Sequence, residues 1–213
     1  MGRPTTIECV LFDFDGVTAD TEALSVRLLI RQFQAIGVNP SVEELEALAG
    51  TAGDDSLQQI LDAHHSTRTI AELFADGATN GAVYRRMDIK PSPGVIDLIR
   101  TLRARGILVG LVSQTLTCHI IYALDRFGMM SLYDAIVCGD MVERFKPDPQ
   151  PYRRAMGFLD ADPARTVVFE DSPTGIASAR AAGTYVIGYR GGSLSQDTSE
   201  ADESIDTFEG FSL

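Results

Sequence analysis

The sequence predicts a doubly wound α/β protein with a helical segment inserted directly after its first strand. Two observations carry this. Short continuous apolar runs rich in Val, Ile and Leu recur at 7–12, 107–112, 135–138, 166–169 and 185–187, with helical patterns between the later ones. Runs of that length fit strands buried on both faces of a parallel sheet, and repeated strand–helix alternation is the pattern of an open α/β domain. By contrast, 18–87 contains no strand pattern and several helical ones.

Each element has its own justification. Strand 7–12 leads into Asp13. The segment 22–36 repeats Leu24, Leu28, Leu29, Phe33 and Ile36 on one helical face and stops at Gly37. Further helical patterns cover 42–49, 54–64 and 70–87, the last weakened by Gly77 and Gly81. From Pro91 onward the helices announce their starts. Ser92-Pro93, Asp148-Pro149 and Ser172-Pro173 each put a capping side chain before a proline suited to the first helical turn. The last of these helices carries Ile176, Ala179 and Ala182 and ends at Gly183. After Gly191 the chain is acidic and Ser-rich, with Ser204-Ile205 a short edge strand. The expected division is a catalytic core of 1–17 and 88–213 with a helical cap of 18–87.

Bulk properties narrow the function. A chain of 213 residues, 45% hydrophobic, is long enough for one domain with a sizeable insertion. No run approaches the ~18 apolar residues of a membrane span. Cys9, Cys118 and Cys138 form no paired motif, which suits reduced thiols in a cytoplasmic protein. Three histidines give no zinc spacing. The formal net charge of −12 disfavours nucleic acid and anionic membranes as partners. It also repels phosphates, so a phosphate-handling site here must bring its own positive charge. A monomer is expected.

The polar residues fall at telling places. Asp13 follows the first strand, Ser113 the second, Lys146 lies after the third, and Glu170-Asp171 follow the fourth. Ligands of open α/β sheets bind outside the carboxyl ends of the strands, so residues from four separate segments should meet at one edge. Taken singly, Ser113 reads as a helix cap and Lys146 as a surface lysine. Taken in this order, they read as one site.

The residue types fit phosphoryl transfer. A carboxylate can attack phosphorus and form an aspartyl-phosphate, and Asp13 is placed for this. Nucleophile and phosphoryl group are both anionic, so a hard cation is needed. Asp13, the backbone carbonyl of Asp15 and Asp171 would hold Mg²⁺, with Glu170 close behind. Lys146, Ser113 and the amide of Gln114 at a helix start would bind the phosphoryl oxygens. Asp15 would protonate the leaving alkoxide and then deprotonate the attacking water, a contribution of ~10²–10⁴ in rate. Gly16 permits a sharp turn there. An EF-hand beginning at Asp13 fails, because Val17 and Thr18 stand where an acid or amide and a glycine are required. No Walker A or dinucleotide-binding glycine motif is present.

Four motifs, Asp13-Phe14-Asp15-Gly16-Val17, Ser113, Lys146-Pro147-Asp148-Pro149 and Glu170-Asp171-Ser172, together resemble those of the haloacid dehalogenase-like hydrolase superfamily. The stretch Phe169–Ile176, with Ala181-Ala182-Gly183 after it, is the most specific part. The resemblance implies a Rossmann-like core, a helical cap and the mechanism above. Leu48–Leu57 is similar to the cap loop of β-phosphoglucomutase and related sugar-phosphate phosphatases, which makes Ser25, Gly50, Thr51 and Gly53 candidate substrate contacts. Gly53 stands where that mutase carries an arginine, and Ser25 where it carries a histidine. Both departures favour a phosphatase acting on a small phosphorylated metabolite over the alternative, a phosphosugar mutase. Dehalogenation would leave Asp15 superfluous. A phosphonate hydrolase would need a lysine in the first cap helix, and 22–36 has none.

Overall fold

The computed structural model describes residues 2–48, 54–75, 81–86, 88–194 and 196–213. Six parallel strands form one sheet in the order β3-β2-β1-β4-β5-β6. They are β1 (Cys9–Phe12), β2 (Leu108–Val112), β3 (Ala135–Val137), β4 (Thr166–Glu170), β5 (Tyr185–Tyr189) and β6 (Glu203–Ile205). The fold is therefore the expected α/β Rossmann-like sheet, with helices inserted after β1. Strand order reverses between β1 and β4, and ligand crevices form at such switch points.

Alternation along β1 sets the two faces. Val10 and Phe12 join the apolar cluster under α6 (Val95–Ala104) and α7 (Thr117–Phe127). Cys9 and Leu11 join the opposite cluster under α8 (Gln150–Leu159) and α9 (Pro173–Ala181). Successive side chains of a strand point to opposite faces, so a continuous apolar run is what such a strand needs.

Among the described residues, five helices lie between β1 and α6: α1 (Glu22–Ala35), α2 (Val42–Glu46), α3 (Asp54–Ala63), α4 (Ile70–Leu73) and α5 (Gly81–Arg86). Helices α1 to α4 share an apolar cluster of their own, including Val26, Leu29, Phe33, Leu45, Leu61 and Leu73. Helix α1 faces two ways, because Leu28 packs instead with the sheet-side cluster. Val83 and Tyr84 of α5 do the same.

Several expected boundaries shift for physical reasons. Within the expected helix 70–87 the described residues form α4, a turn at Phe74 and Ala75, and α5. Helix α6 starts at Val95 and not after Ser92, because Gly94 takes a left-handed conformation (φ 82°) as its N-cap. A Cβ at Gly94 would press on the backbone of Phe208 and Glu209. Pro149 is itself the N-cap of α8, while Asp148 Oδ1 still accepts from the Gln150 amide at 2.8 Å. The Ser172 cap is as expected, its Oγ accepting from the Gly175 amide at 3.1 Å. Among the described residues no helix is long and apolar enough to cross a membrane.

Candidate active site

The register of two strands builds the centre of the site. Phe12 pairs with Phe169, their rings stacked at 4.9 Å, and burying such a ring is worth ~1.5–3 kcal/mol. The Asp13 amide then donates to the Phe169 carbonyl at 3.0 Å, which sets Asp13 beside Glu170. A tight turn follows. The Gly16 amide donates to the Ala19 carbonyl at 2.8 Å, and Thr18 Oγ1 to the Asp13 carbonyl at 2.6 Å. Gly16 has φ 77°, and a Cβ there would overlap the Asp171 carboxylate. Glycine thus serves both the turn and the packing.

Lys146 arrives from the loop after β3 and is only 8% exposed, which removes the surface-lysine reading. Its Nζ donates to Asp13 Oδ1 at 2.5 Å, Glu170 Oε1 at 2.6 Å and the Val112 carbonyl at 3.3 Å. Burial works against the ammonium charge, but Asp13 and Glu170 outweigh it and hold the Lys146 pKa above its ordinary value. Glu170 is fully buried and fully used. Its Oε1 also accepts from the Tyr152 hydroxyl at 2.5 Å, and its Oε2 accepts from the Asp171 and Ser172 amides and from Ser172 Oγ. A Cβ at Gly175 would collide with this carboxylate. Glu170 therefore positions Lys146 more than it faces the cavity.

One ammonium does not balance the acids around it. Ligand atoms of Asp13, Glu170 and Asp171 lie within 4.8 Å of one another. Burial raises the Asp13 carboxyl well above its ordinary value; Lys146 pulls it back, while Glu170 and Asp15 push it further up. Asp171 is raised likewise by burial and then by Glu170, Asp13 and Glu22. Glu22, in the first turn of α1, is pushed up to about 7 by burial and by Asp15, Asp20 and Glu170. Crowded carboxylate oxygens with uncompensated negative charge are the donor set of a hard divalent cation. The residues present fit one.

Asp15 is held by four hydroxyls. Thr21 (2.8 Å) and Tyr84 (2.5 Å) donate to Oδ1, while Thr115 (3.1 Å) and Ser113 (3.4 Å) donate to Oδ2. Burial and the Asp15 charge raise the Tyr84 pKa well above its ordinary value, so Tyr84 remains a donor.

Asp13, Asp15, Gln114, Lys146, Asp171 and Ser25 line one cavity of about 330 Å³. That is at the small end of ligand pockets (~300–1,000 Å³). Glu170 stands behind them. Ser113 is buried beside Asp15 and accepts from the Thr115 amide at 3.0 Å, so Gln114 and Thr115 form the cavity wall there. The expected helix start at Gln114 falls later, at Thr117, whose amide is capped by Asp140 Oδ1 at 2.9 Å. Gly50, Thr51 and Gly53 lie outside the described residues.

Four residues were not singled out from sequence: Glu22, Tyr84, Thr115 and Gln196. The last donates from Nε2 to Asp171 Oδ2 at 3.0 Å. Proximity in sequence to Asp15 and to Ser113 could have pointed to Glu22 and Thr115. Nothing local marks Tyr84 or Gln196.

A sheet of this topology, with a buried lysine and an acidic cluster at its switch point, is the setting of a phosphatase-type α/β hydrolase. The chain belongs to the haloacid dehalogenase-like hydrolase family, whose sequence profile matches residues 10–189. It is 33% identical to Protein CbbY of Cereibacter sphaeroides over 224 aligned positions, covering 95% of this chain and 93% of that protein. It is 28% identical to validoxylamine A 7'-phosphate phosphatase of Streptomyces hygroscopicus subsp. limoneus, with 90% of each covered. Among solved structures, a CbbY variant from Rhodobacter sphaeroides in complex with xylulose-(1,5)bisphosphate superposes with a TM-score of 0.81 at 29% identity, covering 95% of each chain.

Proposed function

We propose that the chain is a Mg²⁺-dependent phosphatase that hydrolyses a small phosphorylated metabolite of the sugar-phosphate class through an aspartyl-phosphate on Asp13. The observation that carries this is the Lys146 ammonium held between Asp13 and Glu170, in a cavity that Asp15 and Asp171 also line. Relatives named as a phosphatase and as a protein bound to a sugar bisphosphate support the substrate class.

Lys146 binds one oxygen of Asp13 and leaves Oδ2 without a hydrogen bond among the described residues. A carboxylate oxygen of Asp13 attacks phosphorus while the ester oxygen leaves. Asp15 gives that oxygen its proton. In the second half Asp15 takes a proton from water, the water oxygen attacks the same phosphorus, and inorganic phosphate departs from a regenerated Asp13. Lys146 and the Gln114 amide, joined by the Ser113 hydroxyl once it turns from Asp15, hold the phosphoryl oxygens as charge moves. Asp13, the backbone carbonyl of Asp15 and Asp171 would hold Mg²⁺, backed by Glu170, and the ion when bound supplies the charge that lets one anion approach another.

The helices of 18–87 act as a cap that closes the cavity and excludes water. Three free cysteines suit the reducing cytoplasm. The chain works as a monomer without nucleic acid or membrane as partner.

Phosphate release from a panel of sugar phosphates in Mg²⁺ tests the reading. Steady release from a monophosphate supports it. Isomerisation of a sugar phosphate that needs a bisphosphate primer and frees no phosphate would replace it with the mutase.

A further inference from the structure

The chain after β5 touches both the acidic cluster and the helical insertion. Gln196 Nε2 donates to Asp171 Oδ2 at 3.0 Å. The same oxygen lies against Gly16, where a Cβ would overlap it. Asp171 Oδ2 is thereby fixed on two sides, and Oδ1 accepts no hydrogen bond among the described residues. Two positions before Gln196, Leu194 packs against the apolar cluster that α1 to α4 share. Ser193 beside it donates twice to Asp20 Oδ1, from its amide at 3.1 Å and from its hydroxyl at 2.6 Å. Asp20 stands just before α1, where the chain enters the insertion. Side chains that are near neighbours in sequence thus reach a metal-ligand candidate, the core of the insertion and its entry.

We infer that Gln196 is a positioning residue for Asp171, and that Leu194 and Ser193 moor it to the helical insertion, so that the insertion sets the affinity of the metal site. This rests on the metal reading of the proposed function and deepens it. A glutamine side chain is rich in rotamers and loses much freedom when it is held in one of them. It can aim a carboxylate only where its own backbone is anchored, and Leu194 and Ser193 supply the anchor. With Oδ2 held, Asp171 offers a cation one oxygen. That suits Mg²⁺, which demands near-ideal octahedral geometry and binds through few carboxylates. The linkage is reciprocal. If seating the insertion favours the ion, the ion favours that seating by the same free energy.

The test titrates Mg²⁺ alone into the full chain, stripped of metal, in a calorimeter, with a thermal melt to confirm that each variant is folded. Gln196→Leu should weaken binding about tenfold or more, the usual loss when a partner behind a metal ligand is removed. Leu194→Ala should weaken it severalfold, although leucine offers no ligand atom. The double variant should bind no more weakly than Gln196→Leu alone, because Leu194 acts through Gln196. Val42→Ala, at an exposed apolar residue of α2, should bind as the wild type does. Hydrogen exchange reads the reverse direction: saturating Mg²⁺ should slow exchange in α1 of the wild type, and less so in Leu194→Ala. Wild-type affinity in Leu194→Ala overturns the mooring, as do losses that multiply in the double variant or an equal loss in Val42→Ala. A wild type that binds no Mg²⁺ overturns the metal reading itself, and the mooring with it.

Discussion

The Tyr84 hydroxyl donates to Asp15 Oδ1 at 2.5 Å, across 69 positions of chain. It comes from α5 and also meets Thr115 Oγ1 at 3.0 Å. The ring stacks on His119 at 5.7 Å. A residue of the helical insertion therefore orients the carboxylate that the proposed mechanism uses to move protons.

Replacing Tyr84 with Phe keeps the ring packing and removes that donor. A hydrogen bond to a charged group is worth ~1.5–3 kcal/mol. kcat for phosphate release should fall by roughly tenfold to a hundredfold with little change in melting temperature.

Asp13→Asn should abolish turnover, because an amide is a poor nucleophile. Lys146→Ala should do more than slow the reaction. It leaves Asp13 and Glu170 buried without their cation, and breaking a buried pair costs about 3–5 kcal/mol. Phosphate release and urea denaturation, measured side by side, should both show the loss for Lys146→Ala.

Glu22 links stability to pH. Its carboxyl is raised from an ordinary 4.5 to about 7 in the fold. Between those values the folded chain keeps a proton that the unfolded chain has released. Stability therefore falls as pH rises from 4.5 to 7 and flattens above, as far as this group is concerned. Thermal melts across that range should show a shallower slope in Glu22→Gln than in the wild type.

A divalent cation that binds the folded state should raise the melting temperature in proportion to its saturation. Mg²⁺ should do so in the wild type, and Asp171→Asn should remove the rise. Gln196→Leu should weaken Mg²⁺ binding in a calorimetric titration, since Gln196 orients Asp171.

Gly16→Ala forces a side chain into a left-handed turn at a cost of ~1–2 kcal/mol and drives a methyl group into Asp171. The variant should melt lower and bind Mg²⁺ more weakly, whereas Gly2→Ala, with open space around it, should match the wild type in both assays.

The chain itself determined the sheet and the order of its polar landmarks. Five apolar runs marked five strands, and Asp13, Ser113, Lys146 and Glu170-Asp171 stand at or after strand ends, because strand periodicity and strand termination are local properties of the sequence. Only the tertiary structure decided which oxygen meets which donor. Lys146 sits between Asp13 and Glu170 because β3 and β4 are folded to opposite sides of β1. Tyr84 on Asp15 and Gln196 on Asp171 are contacts between segments that share no local pattern. The raised carboxyl of Glu22 likewise comes from burial and from the charges of Asp15, Asp20 and the distant Glu170, and a one-dimensional pattern holds no record of the distances that set such a field.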